Sequence, residues 1–159
     1  MEQSVKNASP TSNDLAYVAG FFDGEGHIRI QKHSTRCDST MLSVTCVQAT
    51  EFPLDRFIDF FGGTLKLRKM KYKGGTRRLY TWQTSSAQAE KFLRAIYPFL
   101  IVKKDEADIA FEYRKTFRPM HVVQSDQYKK LDRSIVSARN VMHDQLMQVR
   151  KDKRLLAYA

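Results

Sequence analysis

The sequence predicts an α+β domain, an α-β-β-α-β-β-α core with a four-stranded antiparallel sheet, followed by C-terminal helices. Three observations carry that prediction. Segments with helical apolar spacing precede each of two strand pairs, the paired segments alternate apolar and polar residues, and glycine or proline marks the joints. A length of 159 residues suffices for one domain with a sizeable core.

Residues 1–12 read as a flexible leader. Thr11 or Ser12 can cap a helix over about 13–24, with Asp14 favoured in its first turn by the helix dipole. Ala16, Gly20 and Gly24 fall at i, i+4 and i+8, a stripe with almost no side chain that lets another backbone come close. Asp23 and Glu25 end the helix against its dipole, so each needs a compensating partner, a cation or Lys103.

HIRIQKH (27–33) then alternates Ile28 and Ile30 inward with Arg29, Gln31 and His33 outward. MLSVTCVQ (41–48) repeats the pattern, with Ser43 and Thr45 opposite Leu42, Val44 and Cys46. A helix over about 51–61 follows, with Thr50 as its candidate cap and Gly62-Gly63 as its stop. TLKLRKMKY and RRLYTWQTS form a hairpin about Gly74-Gly75. Leu65 and Leu67 face Tyr80 and Trp82, while Lys66, Arg68, Met70, Leu79, Thr81 and Gln83 look the other way. Helices over about 86–97 and 103–117 end at Pro98 and Pro119. A last amphipathic segment spans about 125–156, with Leu131, Ile135, Val141 or Met142, and Val149 on its apolar side. Residues 13–118 read as the core and 119–159 as a helical extension of the same domain.

Charge points to the partner. Lys and Arg number 27 against 17 acids, for a net charge of +10, and a domain this basic usually meets a polyanion. Residues 61–80 hold seven of the basic residues and no acid. One sheet face thus presents Arg, Lys, Gln, Ser, Thr and His, donors that suit base edges in the DNA major groove. That face is poor in aromatics, which argues against single-strand binding by stacking.

Other classes find less support. His27, His33, Cys37 and Cys46 match no compact zinc spacing, and two cysteines are too few for a disulfide framework. No apolar run reaches membrane-spanning length and the first residues lack a signal pattern. The expectation is an intracellular protein, with cytoplasm, nucleoid and organelle not distinguished.

The stretch YVAGFFDGEG (17–26) resembles the motif of the LAGLIDADG homing endonucleases, and PFLIVKK (98–104) resembles their downstream proline-to-lysine stretch. The order of elements over 13–118 is also that of the family. The resemblance implies a saddle-like sheet in the major groove, and a homodimer because a single motif is present. It implies that Ala16, Gly20, Asp23 and Gly24 line the dimer axis, with Asp23 structural and bonding across the helix pair.

The implied activity is Mg²⁺-dependent hydrolysis of both strands at a long, palindromic or near-palindromic site, leaving short 3′ overhangs. Glu25 and the Gly24 carbonyl would hold the divalent metal, Lys103 would polarise the nucleophile or offset phosphate charge, and Gln48 would order water. Glu stands at 25 where Asp is commoner in the family. Double-stranded DNA is the expected partner, with no membrane and no small-molecule cofactor. Its readers would be Arg29, Gln31, His33, Ser43, Thr45, Lys66, Arg68, Arg77, Thr81 and Gln83. Lys129, Lys130, Arg133, Arg139, Lys151, Lys153 and Arg154 would touch backbone phosphate. The rival readings are a non-cleaving relative, an intron maturase or DNA-binding regulator, and a protein-binding scaffold.

Overall fold

The computed structural model describes residues 9–34, 37–117 and 133–156, and their side chains apart from 33, 34, 37–39 and 72. Its elements follow the predicted order: α1 (Ser12–Glu25), β1 (Gly26–Ser34), β2 (Cys37–Gln48), α2 (Phe52–Phe61), β3 (Thr64–Tyr72), β4 (Gly75–Ser85), α3 (Ser86–Ile96), a 3₁₀ turn (Tyr97–Phe99), α4 (Lys104–Lys115) and α5 (Arg133–Leu156). The four strands form one antiparallel sheet in the order β1-β2-β4-β3.

Local chemistry sets the joints. Thr11 and Asp14 close a reciprocal capping box at the start of α1, satisfying two N–H groups that the helix cannot. The opposite end stops at Gly26, extended, whose N–H donates to the Phe22 carbonyl. A Cβ at Gly26 would lie 2.2 Å from the Phe22 ring and 2.5 Å from its carbonyl oxygen, so only glycine fits where helix turns into strand. The structure corrects one cap: Glu51 stands at the cap of α2 and no side chain bonds there, Thr50 included.

Alternation sorts the sheet into two faces. Register pairs Ile28 with Val44, Ile30 with Leu42, Cys46 with Trp82, and Leu65 with Trp82. The buried residues of that face meet Val18, Ala19 and Phe22 of α1 and Ala89, Phe92 and Leu93 of α3 in one core. At its centre Trp82 lies 4.9 Å from both the Phe57 and Phe92 rings, and Phe22 lies 5.1 Å from Phe92. Each buried ring contributes about 2–3 kcal/mol through area removed from water. Gly62 and Gly63 take positive φ, and Trp82 donates its indole N–H to the Gly62 carbonyl (2.8 Å), which binds the α2–β3 turn to the core.

Of the predicted last helix, the described part runs as α5 from Arg133 onward; residues 1–8 and 118–132, with the leader and part of the extension expected there, lie outside the described residues. Leu146 is its buried anchor and Met142 packs against the core, whereas Val141 is exposed.

Candidate active site and nucleic-acid interface

The end of α1 is where the sequence-predicted residues converge. Asp23 is fully engaged within the chain: one carboxylate oxygen accepts from the N–H groups of Ile101 (2.7 Å) and Val102 (3.1 Å), the other from that of Lys103 (2.9 Å). The resemblance implied a bond across a helix pair; within the chain, the carboxylate caps the segment that enters α4, since unpaired N–H groups there favour an anion. Lys103 returns the contact by donating its ammonium to the Asp23 carbonyl. The acid that opposes one helix dipole is thus compensated by the start of another helix.

Glu25, two residues on, is exposed, and among the described residues no hydrogen bond or ion pair engages its carboxylate. Its charge and that of Lys103 are both felt at Cys46. Burial first, then Glu25, push the Cys46 thiol up to about 12, with Lys103 acting the other way. Burial holds the Lys103 ammonium below its ordinary value, against the pull of Glu106 and Asp23. A half-buried lysine and an unengaged carboxylate therefore share one end of the molecule.

A second layer supports this end from α5, and sequence reasoning missed it. Glu106, only 4% exposed, accepts from Arg150 Nε at 3.0 Å. Lys153 donates to the Val102 carbonyl (2.5 Å) and lies 3.8 Å from Glu106. The i, i+3 spacing of Arg150 and Lys153 was the available signal.

The polar sheet face adjoins Glu25 directly. Register places His27 opposite Thr45, Arg29 opposite Ser43, Thr45 opposite Gln83, and Lys66 opposite Thr81, with Arg68, Met70 and Arg77 further along the β3–β4 hairpin. Arg29, Lys66, Arg68 and Arg77 are exposed; Gln31, Thr81 and Gln83 are half-buried. His27, considered from sequence only for zinc, is an exposed member of this face nearest the helix end. Burial, followed by the charges of Arg29, Arg150 and Lys103, holds its imidazole below the ordinary value.

Several expected readers are placed differently. Ser43 is 0% exposed, its Oγ buried and without a hydrogen-bond partner among the described residues, and Thr45 is 9% exposed. Both are short side chains on an interior strand, Ser43 beside Arg29 and Thr45 between His27 and Gln83, and both are covered. Gln48 pairs with Tyr80 and falls on the face of Cys46 and Trp82 rather than on that of Thr45. The side chain of His33 lies outside the described residues.

Arg139, expected at phosphate, is 4% exposed. It stacks 3.8 Å from the Phe117 ring centroid and donates to the Thr116 hydroxyl and carbonyl. Of the other basic residues expected at phosphate, Lys129 and Lys130 lie outside the described residues; Arg133, Lys151 and Arg154 are exposed on α5. The remaining expected residues, Ala16, Gly20 and Gly24, form an exposed stripe on α1, and a Cβ at either glycine would meet nothing within 4 Å.

Two absences bear on metals and membranes. Among the described residues, no three His, Cys, Asp or Glu side chains cluster as a metal would need, and Cys46 and His27 lie on opposite faces of the sheet. No helix among them is long and apolar enough to cross a membrane.

No protein-family model matches the chain, and no curated protein matches it in sequence. Solved structures do. The homing endonuclease I-CvuI, in complex with its target in the presence of calcium, is 20% identical with a TM-score of 0.66, over 87% of this chain and 85% of that one. An archaeal intron-encoded homing endonuclease complexed with DNA is 17% identical with a TM-score of 0.50, over 82% and 96% of the two chains. The LAGLIDADG homing endonuclease I-GzeII, in complex with a DNA target, is 12% identical with a TM-score of 0.56, over 79% of this chain and 43% of that one. The chain described here has the fold of the LAGLIDADG homing endonucleases.

Proposed function

We propose that the protein is a site-specific double-strand DNA endonuclease of the homing type. The observation that carries this reading is the pairing of an exposed, unengaged Glu25 with a braced Lys103 at the margin of a cationic sheet face. In the structures that share its fold the partner is DNA. The reading includes a palindromic or near-palindromic target, cuts that leave short 3′ overhangs, and a homodimer closed along Ala16, Gly20 and Gly24. Tyr17, next to Ala16 on α1, and Ile101 and Val102, whose N–H groups bond to Asp23, are exposed and offer apolar area to such an interface.

The donor set fits a hard divalent cation such as Mg²⁺. Each chain offers oxygen only, the Glu25 carboxylate and the Gly24 carbonyl at a helix end, and Mg²⁺ is held by one or two carboxylates together with phosphate oxygens. When bound, such an ion lowers the pKa of attacking water and neutralises charge on the leaving oxygen. The chain's own part is to place Glu25 at the phosphate and to hold the Lys103 ammonium beside it, where charge develops during hydrolysis. Asp23 keeps Lys103 in place through three backbone N–H groups. Gln48 would order water beside the helix end, a role supported by its strand, which pairs with Gly26 at Cys46, two residues before it. Arg29, Gln31, Lys66, Arg68, Arg77, Thr81 and Gln83 read the groove.

Incubation with a randomised duplex library and Mg²⁺ tests the reading. The wild type should make staggered cuts at one sequence, and Glu25→Gln should bind that sequence with cleavage reduced about 10³-fold or more, the scale of several kcal/mol of metal-dependent stabilisation. A Glu25→Gln protein that still cuts would remove Glu25 from the chemistry. Binding without cutting by the wild type would replace the enzyme with a DNA-binding regulator.

A further inference from the structure

The β3–β4 ribbon outruns the sheet. β2 pairs with β4 only between Ser43↔Ser85 and Gln48↔Tyr80, so residues 68–72 and 75–79 project as two strands with both faces in solvent. One face, with Lys66, Arg68 and Arg77, continues the polar face already assigned to DNA. The other continues the helix-covered face, and on it Leu65 and Leu67 give way to Lys69 and Lys71.

There Lys69 stands directly opposite Arg78, both exposed. Like charges opposite each other on an antiparallel pair are destabilising. No carboxylate relieves them, because residues 61–80 contain none and no ion pair from elsewhere reaches Lys69, Lys71 or Arg78 among the described residues. The ribbon thus carries a repulsion that a polyanion would remove.

We infer that Lys69, Lys71 and Arg78 form a backbone-phosphate site on the back of the ribbon, separate from the residues that face the bases. This inference rests on the DNA reading above. A major groove about 12 Å wide admits a two-stranded ribbon. Long Lys and Arg stems carry charge from the back face around the ribbon's edges to the phosphates on the groove walls. Such contacts fix depth and register and carry no base information.

Affinity for a random-sequence duplex, measured against salt concentration, tests the assignment. Removing three phosphate contacts, in K69Q/K71Q/R78Q, should flatten the slope of log K on log salt by about 2.7 per bound protomer. Selection from a randomised duplex pool should return the same consensus as the wild type. K66Q/R68Q/R77Q should instead change the consensus. K91Q, which removes one charge on exposed α3 surface, should leave the slope as it is. An unchanged slope in K69Q/K71Q/R78Q, with wild-type binding intact and salt-dependent, overturns this inference alone. A wild type that shows no salt-dependent duplex binding overturns the DNA reading beneath it. Loss confined to single-stranded RNA or to an acidic protein would assign the back face to that other partner and overturn the inference.

Discussion

The end of α1 and the tip of the β3–β4 hairpin are built on opposite terms. At the helix end almost every polar group is tied down: Asp23 holds three N–H groups, Lys103 is held by the Asp23 carbonyl, and Glu106 is held by Arg150. At the hairpin tip no cation is paired among the described residues, and both faces meet solvent. The contrast teaches where rigidity matters. On the endonuclease reading proposed above, placing a carboxylate and an ammonium at one phosphate requires fixed geometry, because a misplacement of about 1 Å costs about 10²-fold in rate. Reading a groove tolerates long, adaptable side chains whose partners arrive with the DNA. Substitutions at the braced end should therefore register in stability, and those at the tip in binding alone.

The largest stability effect is expected at Gly26. A methyl group there collides with both a ring and a backbone oxygen of Phe22, and the backbone cannot yield without parting α1 from β1. Gly26→Ala should cost about 3 kcal/mol, at the upper end for overpacked sites, and should lower the urea midpoint accordingly. A midpoint within experimental error of the wild type would mean that the helix–strand joint is looser than the packing shows. Asp23→Asn comes next. Its amide accepts less strongly and turns a donor toward N–H groups, at a cost of about 2 kcal/mol for backbone donors left without an anion. Cleavage should fall with it while duplex affinity stays, since the loop it fixes carries Lys103. Unchanged stability would show that the 101–103 backbone finds other acceptors.

These two sites also mark how far the sequence could be read. Faces of the sheet were legible because alternation is local: Leu65 and Leu67 meet Trp82 and Tyr80 as the spacing predicts. The capping box at Thr11 was half legible, since Ser12 offered the same chemistry one residue on. Asp23 was legible in part: an acid opposing the helix dipole called for a cation or Lys103, and Lys103 is there. The donors at Ile101 and Val102, however, lie 78 and 79 residues away, and no periodicity reports a contact at that range. Burial of single polar residues failed for a related reason. Ser43 sits on the polar face by register yet is fully covered, and Arg139 buries its guanidinium against Phe117 and Thr116 although its helix is otherwise basic. Alternation tells which way a side chain points, whereas neighbours from other elements decide whether it reaches water.

The smallest effect, and the one with opposite sign, is expected at Gly20. It lies in the interior of α1, exposed, with room for a methyl group and no atom within 4 Å to oppose it. Within a single chain alanine should be the better residue, by up to about 1 kcal/mol, because glycine exposes backbone and loses more conformational freedom in a helix. The sequence forgoes that gain twice, at Gly20 and at Gly24. The homodimer proposed above would supply the reason, since a methyl at the crossing point of two α1 helices would hold their backbones apart. Gly20→Ala should therefore stabilise the protein against urea at low concentration, where the monomer dominates, and weaken self-association measured by sedimentation. Gly26→Ala changes the same side chain six residues away and should do the reverse to stability. A Gly20→Ala protein that gains stability and associates as the wild type does would take the dimer seam away from this stripe and leave both glycines without a structural reason.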